Sequence, residues 1–212
     1  MGRFIEVVNG PVPSVAALRA ERGREFGAAQ LRNIAPASFL LLYVLLLPTA
    51  AASPTIEGEV INVAEGDTIT VLVKQQEYRI RLKGVDAPEQ KQPFGNASQR
   101  SLSVLLAGKH VRVEYDKRDR YGGVIGVVWV RSPDSPCESE KCRKTLDAGL
   151  YQLTVGMAWW YRHYAKEQTP EERGQYEYAE AEARSRRAGL WAVADPTAPW
   201  DWRGEHRRTV TD

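Results

Sequence analysis

Apolar and basic residues alternate between Tyr78 and Lys83, and this alternation limits the structures that the segment can adopt. In "YRIRLK" every second residue is apolar, and the residues between them are basic. A period of two predicts a β-strand with one buried face and one solvated, basic face. The preceding segment "TITVLVK", residues 68–74, predicts a partner strand. The two strands therefore form a hairpin that turns at Lys74–Gln76.

The rest of the chain adds three strands and three helices. One strand lies in "TIEGEVINVAEGD", and two later strands lie in "HVRVEYD" and "VIGVVWV". A helix is predicted in "GNASQRSLSVLLAGK", with Asn96 as its N-cap and Gly108 at its end. Two more are predicted in "TLDAGLYQLTVGMAWW" and "TPEERGQYEYAEAEARSRRAGLW", the latter capped by Thr169 before Pro170. The order β-β-β-α-β-β-α-α indicates an α+β, mainly β fold: a five-stranded OB-fold barrel with three helices.

An unbroken apolar run from Phe39 to Leu47 indicates a signal peptide. The run is too short to span a bilayer, which needs about 20 residues, and the small residues of Ala50–Ala52 follow it as a cleavage site. We therefore expect cleavage near Ala52 and a secreted or periplasmic protein, in contact with the membrane only transiently through this segment. The alternative is a membrane anchor formed by residues 38–52. The long segment before the run also leaves open a natural start further downstream.

The predicted organisation is a signal region at residues 1–52, an OB-fold domain at residues 53–195 and an irregular tail at residues 196–212. The formal net charge of the chain is +2. Basic and acidic residues balance in residues 53–212, with 24 of each. This balance excludes a globally basic nucleic-acid binder, so any polyanion must be bound by a local cluster.

The two cysteines, Cys137 and Cys142, lie in the polar segment "RSPDSPCESEKCRK". In an oxidising compartment this spacing favours a local disulfide. In the cytosol the same pair would be two free thiols or half of a metal site. No second pair has a spacing suited to zinc.

Two aspartates are predicted to meet at one end of the hairpin. Asp67 precedes its first strand and Asp86 follows its second, so the turn returns both to the same end. Two carboxylates there form a hard-oxygen site suited to Ca²⁺. Ala87 precedes Pro88 and is pushed to extended geometry, so its carbonyl is a further candidate ligand. Ordinary turn chemistry is the alternative for Asp67.

Glu89 and Arg81 add catalytic chemistry to this end of the hairpin. Glu89 is a candidate general base for a metal-held water. Arg81 offers a two-pronged guanidinium for a phosphate oxygen. Cation, base and guanidinium together predict hydrolysis of a phosphodiester bond. The alternative is that each charge is simply a solvated strand end.

The segment "EGDTITV", followed after nine residues by "RLKGVDAPE", resembles the first signature of the staphylococcal nuclease (thermonuclease) family. The resemblance extends from about Ile56 to Trp191 through "QPFGNASQRSL", "DRYGG", "GMAWWYRHY" and "AEAEARSRRAGLW". One departure in the first signature is Glu65, where an aspartate is usual. The resemblance implies an OB-fold barrel with three helices that cleaves DNA and RNA with Ca²⁺.

The resemblance also implies roles for single residues. Tyr121 would lie against the nucleotide, and Tyr164 in "YRHY" matches another tyrosine on the substrate side. The remaining roles agree with those inferred above: metal ligands Asp67, Asp86 and the Ala87 carbonyl, general base Glu89, and phosphate ligand Arg81.

The second signature contains the more serious departure. In the family, the arginine at the end of Asp-Lys/Arg-Tyr-Gly-Arg binds the scissile phosphate, but here "DRYGG" has Gly123 at that place. Loss of one preorganised donor typically costs about 10²–10³ in rate. Three arginines are candidates to supply the missing charge, although solvated surface positions are the alternative for each: Arg118, Arg120 and Arg162.

The histidines and tryptophans indicate packing rather than chemistry. His110, His163 and His206 are expected to be packed or exposed, not catalytic. Five tryptophans are expected to pack the last helices and the tail onto the barrel, and base stacking is the alternative for each: Trp159, Trp160, Trp191, Trp200 and Trp202.

The sequence is compatible with three functions. The first is an exported Ca²⁺-dependent nuclease with DNA or RNA as substrate, acting as a monomer without a stable protein partner. The second is a nucleic-acid-binding OB module that has lost turnover because of Gly123. The third is a structural envelope protein with a vestigial site.

Overall fold

A computed structural model of the chain describes residues 53–119, 122–137, 139 and 141–208. The predicted signal region, residues 1–52, lies outside the described residues. Within the described part, no helix is both long enough and apolar enough to cross a membrane.

Five long strands and three two-residue strands form the β structure. The strands are β1 (Thr55–Glu65), β2 (Thr68–Val73), β3 (Gln76–Leu82), β4 (Val85–Asp86), β5 (His110–Arg118), β6 (Val124–Val130), β7 (Leu146–Asp147) and β8 (Trp159–Trp160). The long strands are antiparallel in the order β3-β2-β1-β5-β6, and β3 also pairs in parallel with β6. This last pairing closes the sheet into a five-stranded barrel, which confirms the predicted OB-type fold.

The β2–β3 hairpin has the predicted two-sided character. Ile80 and Leu82 are buried in the core, whereas Arg79 and Arg81 are on the exposed side. Lys74 adopts a positive φ of 56° at the turn, and β3 begins at Gln76. The alternating pattern therefore defines both the strand and the face from which Arg81 reaches the site.

Four α-helices and two 3₁₀ helices pack around the barrel in the described part of the chain. They are α1 (Gly95–Leu106), α2 (Ala148–Thr154), 3₁₀ helix Arg162–Glu167, α3 (Pro170–Ser185), 3₁₀ helix Gly189–Ala192 and α4 (Pro199–Arg208). The predicted Thr169 cap of α3 is confirmed, and it takes the form of a capping box: Thr169 accepts from the Glu172 backbone, and the Glu172 side chain accepts from the Thr169 backbone. Asn96 does not cap α1, because the helix starts at Gly95 after Phe94, whose φ is 69°.

The C-terminal tail is the main departure from the predicted fold. Residues 199–208 form α4, not an irregular segment. The segment before α4 is anchored by Ala198, which packs in a second small core with Trp159 and Trp191. This tertiary anchoring explains why the local sequence pattern did not indicate the helix.

Helix α3 is fastened to the barrel by a buried polar contact. Tyr176 donates its hydroxyl hydrogen to Asp147 Oδ2 at 2.7 Å, and both side chains are buried. Asp147 Oδ1 also accepts from the backbone of Gly149 and Leu150 as the N-cap of α2. Burial raises the pKa of Asp147, and it also raises the pKa of Tyr176 well above its ordinary value.

The loop after β6 contains the predicted disulfide. Cys137 and Cys142 are bonded to each other, with their Cα atoms 5.9 Å apart. The prediction of a local disulfide is confirmed.

Candidate active site

Asp67 is held in a buried position at the start of β2. The backbone of Gly66 lies so close to α1 that an added Cβ would fall 1.8 Å from Ser98 Oγ. The buried Gln152 side chain also donates to the Gly66 carbonyl at 2.8 Å. Asp67 itself accepts from Thr68 Oγ1 at 2.7 Å and from the Ala87 backbone N–H at 3.2 Å. The carboxylate therefore has a fixed position, and its side chain is 2% exposed.

Asp86 reaches the same end of the hairpin from β4. It pairs across the short sheet with Trp159 of β8 and is 1% exposed. Arg81 lies between the two aspartates: its Nη2 is 3.3 Å from Asp67 Oδ2 and 3.2 Å from Asp86 Oδ1. The hairpin geometry thus brings together the three residues that the sequence placed there.

Glu89 lies at the edge of the same cluster but is paired with a residue that sequence reasoning missed. Arg203 of α4 places Nη1 2.7 Å from Glu89 Oε1 and 3.1 Å from Asp86 Oδ1. Its Nη2 lies 2.7 Å from Asp86 Oδ2. Helix α4, in the tail, therefore places a second guanidinium against Asp86, the predicted metal ligand, and Glu89, the predicted base.

The Gln92 side chain connects the Glu89 loop to the segment that leads into α4. Gln92 Oε1 accepts from the Glu89 backbone N–H at 3.1 Å, and Gln92 Nε2 donates to the Thr197 carbonyl at 2.6 Å. Gln92 is buried, so water does not compete freely for these two bonds. One amide thus fixes the loop and the start of the helix relative to each other.

The electrostatics of the cluster show an excess of buried negative charge. Burial raises the pKa of Asp86, and the neighbouring Asp67 raises it further against the opposing effect of the two arginines. Burial also raises the pKa of Glu65, with repulsion from Asp67 and Glu89 adding to it. Attraction to Asp67 raises the pKa of Arg81, and hydrogen bonding to Asp86 raises that of Arg203.

The residues present fit a divalent cation of the Ca²⁺ type. Four carboxylates interact with three guanidinium groups, which leaves a formal charge of −1 in the cluster: Glu65, Asp67, Asp86 and Glu89 against Arg79, Arg81 and Arg203. In the described residues, no three acidic, histidine or cysteine side chains converge into a ready metal cage. Further oxygen ligands would therefore come from the backbone or water, as Ca²⁺ accepts.

A cavity of about 730 Å³ opens beside Glu89 and Arg203. Trp202 and His206 on α4 line one side of it, with their rings stacked at 4.0 Å between centroids. Glu65 and Lys91 line other parts of the wall. The cavity gives a substrate access to the predicted base and to the additional arginine at once.

In the described part of the turn that contains Gly123, no arginine reaches the carboxylates. Gly123 donates its backbone N–H to Asp119 Oδ1 at 2.8 Å. Arg118 binds the Gly122 carbonyl at 3.0 Å and lies over the Tyr115 ring. Arg162 pairs with Glu180 at 2.7 Å and stacks on Trp160. Tyr121 and Arg120 lie outside the described residues.

Tyr164 remains a prediction as a substrate-side residue. It is 41% exposed, and the Lys117 ammonium lies 4.4 Å from its ring centroid. It does not line the cavity beside Glu89. His163 is exposed next to it, with its ring 4.8 Å from that of Tyr164.

Packing accounts for four of the five tryptophans, as the sequence favoured. Trp160 belongs to the main core, and Trp159, Trp191 and Trp200 form or contact the second core. Trp202 is the exception, because it lines the cavity. His206 lies with it on α4, while His110 is half-buried in β5.

Comparisons with known proteins place the chain among nucleases. A family model described as staphylococcal nuclease homologue matches residues 79–193. The chain is 38% identical over 176 residues to a micrococcal nuclease of Shigella flexneri, covering 82% of this chain and 92% of that protein. It is 37% identical over 161 residues to Protein ParB of Escherichia coli, covering 76% of this chain and 86% of that protein. It is also 36% identical over 169 residues to an uncharacterized endonuclease of Escherichia coli, covering 80% and 96%.

Proposed function

Because the chain belongs to the staphylococcal nuclease family, we propose that it is an exported Ca²⁺-dependent endonuclease that hydrolyses phosphodiester bonds of DNA or RNA. One observation carries the proposal: the buried carboxylates of Asp67 and Asp86 converge on the Arg81 guanidinium at the end of the hairpin. A buried, negatively charged cluster with a phosphate-binding arginine suits a cation and a phosphodiester together.

Asp67 and Asp86 would hold the cation, with the Ala87 carbonyl as a further ligand. Bound Ca²⁺ would supply positive charge that neutralises the phosphate and favours ionisation of a nearby water. The Ala87 N–H already orients Asp67 at 3.2 Å, so this segment helps to fix the donor set.

Glu89 would accept the proton of the attacking water. Its side chain is 30% exposed and borders the cavity, so a water molecule can reach its carboxylate. A base must lie within hydrogen-bonding reach of the proton it abstracts, directly or through one water. Of the four carboxylates, Glu89 combines this access with a position beside Asp86.

Arg81 would bind a non-bridging oxygen of the scissile phosphate. Its side chain is 46% exposed although its Nη2 contacts two buried aspartates. Part of the guanidinium can therefore face substrate while the rest remains fixed. A preorganised cation of this kind stabilises the charge that develops in the transition state.

Export rests on the apolar run of residues 39–47 and on the disulfide between Cys137 and Cys142. Disulfides persist in oxidising compartments and are rare in the cytosol. We therefore propose that the mature protein acts in the periplasm or outside the cell. It would act as a monomer, with nucleic acid as its partner.

The test is hydrolysis of fluorescent single-stranded DNA and RNA by protein that begins at Ser53, with Ca²⁺ and with chelator. We expect Ca²⁺-dependent cleavage of at least one substrate. Glu89→Gln should lower turnover by about 10²–10⁴ while largely sparing substrate binding. Asp67→Asn should instead weaken the binding of Ca²⁺. A folded native protein that leaves both substrates intact would refute the proposal.

A nucleic-acid-binding module without turnover is the second candidate, and Gly123 favours it. A glycine supplies no side-chain donor to a phosphate at that position. This candidate predicts oligonucleotide binding that weakens steeply with salt, together with no cleavage. Cleavage by the native chain, or no binding at low salt, would exclude it.

A further inference from the structure

Arg203 is a cationic side chain in the candidate site for which the family match gives no role. The match ends at residue 193, and Arg203 lies on α4, beyond that limit. Its guanidinium nevertheless makes three contacts of 2.7–3.1 Å with Asp86 and Glu89. These contacts exceed in number and closeness those of Arg81 to the two aspartates.

The position of Arg203 is built into the fold. The Gln92 amide ties the Glu89 loop to Thr197, just before α4. Ala198 is buried with Trp191, and Trp200 packs on the same small core. Trp200 also lies 5.5 Å from the Tyr161 ring. The helix is therefore docked by contacts that are independent of its arginine.

The guanidinium remains accessible from the cavity. The Arg203 side chain is 32% exposed, whereas Asp86 beneath it is 2% exposed. Arg203 and Lys91 both line this cavity. A substrate phosphate entering there would meet Arg203 before it met the buried carboxylates.

The contacts of Arg203 suit an exchange of partners. Asp67 and Asp86 would together hold a divalent cation. Its positive charge would neutralise the Asp86 carboxylate and weaken the ion pair between Asp86 and Arg203. A phosphate, like a carboxylate, can accept two parallel N–H bonds from one guanidinium. The guanidinium can therefore turn from Asp86 to a phosphate while Glu89 keeps it close.

We propose that Arg203 is a substrate-binding and catalytic residue: α4 brings its guanidinium to the scissile phosphate of a bound nucleic acid. It supplies a second positive charge at a site whose other arginine, Arg81, comes from the barrel. This inference rests on the proposed function and names a residue for it. It also supplies a cation where Gly123 has no side-chain donor: of the three arginines considered for that role, Arg118 and Arg162 bind elsewhere, and Arg120 lies outside the described residues.

The experiment compares the native protein with Arg203→Ala, Arg203→Lys and a control. Arg186→Ala is the control, because it removes the same charge from a surface position where Arg186 contacts Glu182 and Thr154. The ligand is thymidine 3′,5′-bisphosphate, which carries phosphate groups but no phosphodiester bond to be cleaved. Its binding is measured by calorimetry with Ca²⁺, beside Ca²⁺ binding alone and hydrolysis of single-stranded DNA.

Loss of a charge-assisted pair should weaken binding of the bisphosphate by about 10- to 100-fold in Arg203→Ala. Turnover should fall by about 10²–10³. Arg203→Lys should lose less bisphosphate affinity and turnover than Arg203→Ala, because lysine keeps the positive charge but not the paired donors of a guanidinium. Ca²⁺ alone should bind Arg203→Ala as tightly as the native protein or more tightly, since a competing cation is gone. Arg186→Ala should match the native protein in every measurement.

Two results would overturn the inference. Bisphosphate binding and cleavage that are unchanged in Arg203→Ala would show that the arginine has no role in substrate binding, and stronger binding or cleavage would show that it inhibits the site. Joint loss of Ca²⁺ and bisphosphate binding in both variants would show that Arg203 only maintains the structure. A native protein that cleaves neither DNA nor RNA would refute the proposed function alone, because the bisphosphate comparison would still decide the role of Arg203.

Discussion

The site has a barrel side and a helical side, and the two are built differently. On the barrel side, Arg81 contacts Asp86 and Asp67 across only 5 and 14 positions of the chain. On the helical side, Arg203 contacts Asp86 across 117 positions and Glu89 across 114. The side-chain contacts of Arg81 lie within one hairpin and the strand after it, although α1, α2 and β8 also hold the backbone there. The contacts of Arg203 form only once the C-terminal helix has docked.

The two sides also differ in what they contribute. The barrel side supplies buried carboxylates whose positions are fixed by backbone and side-chain donors. The helical side supplies a partly exposed cation and an aromatic pair that face a cavity. We infer that the barrel side is suited to hold a cation and the helical side to hold substrate.

Asp86→Ala should give the largest effect, because Asp86 is shared by both sides. We expect Ca²⁺ affinity to fall by more than the roughly 10- to 100-fold that loss of an outer-shell partner costs, with cleavage lost in parallel. Calorimetry and DNA hydrolysis measure the two effects. Asp116→Ala is the control, because exposed Asp116 pairs with Lys83 on the surface. If Asp86→Ala bound Ca²⁺ as tightly as the native protein, the proposed cation site on the barrel side would be refuted.

Gly123→Arg in the Arg203→Ala background should restore part of the lost activity, about tenfold, if both positions can serve one phosphate. The new Cβ would lie 2.7 Å from Asp119 Oδ2, so that carboxylate must move. Gly123→Ala in the same background is the control, because it adds the Cβ without the charge. Equal activity of the two double variants would show that a charge at 123 cannot replace Arg203.

Trp202→Ala should weaken binding of single-stranded DNA by about fivefold, since one stacked base contributes about 1 kcal/mol or more. Fluorescence anisotropy with a short oligonucleotide measures this change. Tyr178→Ala is a matched control, because Tyr178 is a 68% exposed aromatic residue on α3. Equal affinity of both variants would exclude base stacking on α4.

Tyr176→Phe should leave cleavage nearly unchanged but reduce the free energy of unfolding. The substitution removes the donor to buried Asp147, which costs about 1–3 kcal/mol. Urea unfolding followed by fluorescence measures the change, with Tyr178→Phe as the exposed control. A large loss of activity at unchanged stability would contradict the assignment of this contact to the scaffold.

The sequence predicted the barrel side because its determinants are local. Alternation in β3 identified the face of Arg81, and the hairpin turn implied that Asp67 and Asp86 return to one end. The spacing of the same residues carried the family resemblance. Asn96 failed as a cap because the helix begins one residue earlier, after a positive φ at Phe94.

The sequence did not predict the helical side because α4 depends on distant contacts. The segment "PWDWRGEHRR" is short and contains Gly204, and no regular apolar stripe marks it as a helix. Its docking relies on Gln92 and on the small core around Ala198. The three arginines considered as replacements lie near the second signature or in a later motif, whereas Arg203, which contacts the carboxylates in addition to Arg81, lies in the tail.

The long separation between Arg203 and Asp86 has a consequence for the order of assembly. Local pairings form early, whereas closing a loop of more than a hundred residues comes late because of its entropy. During synthesis, the acidic hairpin emerges before the C-terminal helix, so Arg81 is the first arginine available to its carboxylates. Pairing of Asp86 and Glu89 with Arg203 is therefore expected only once the last helix has docked.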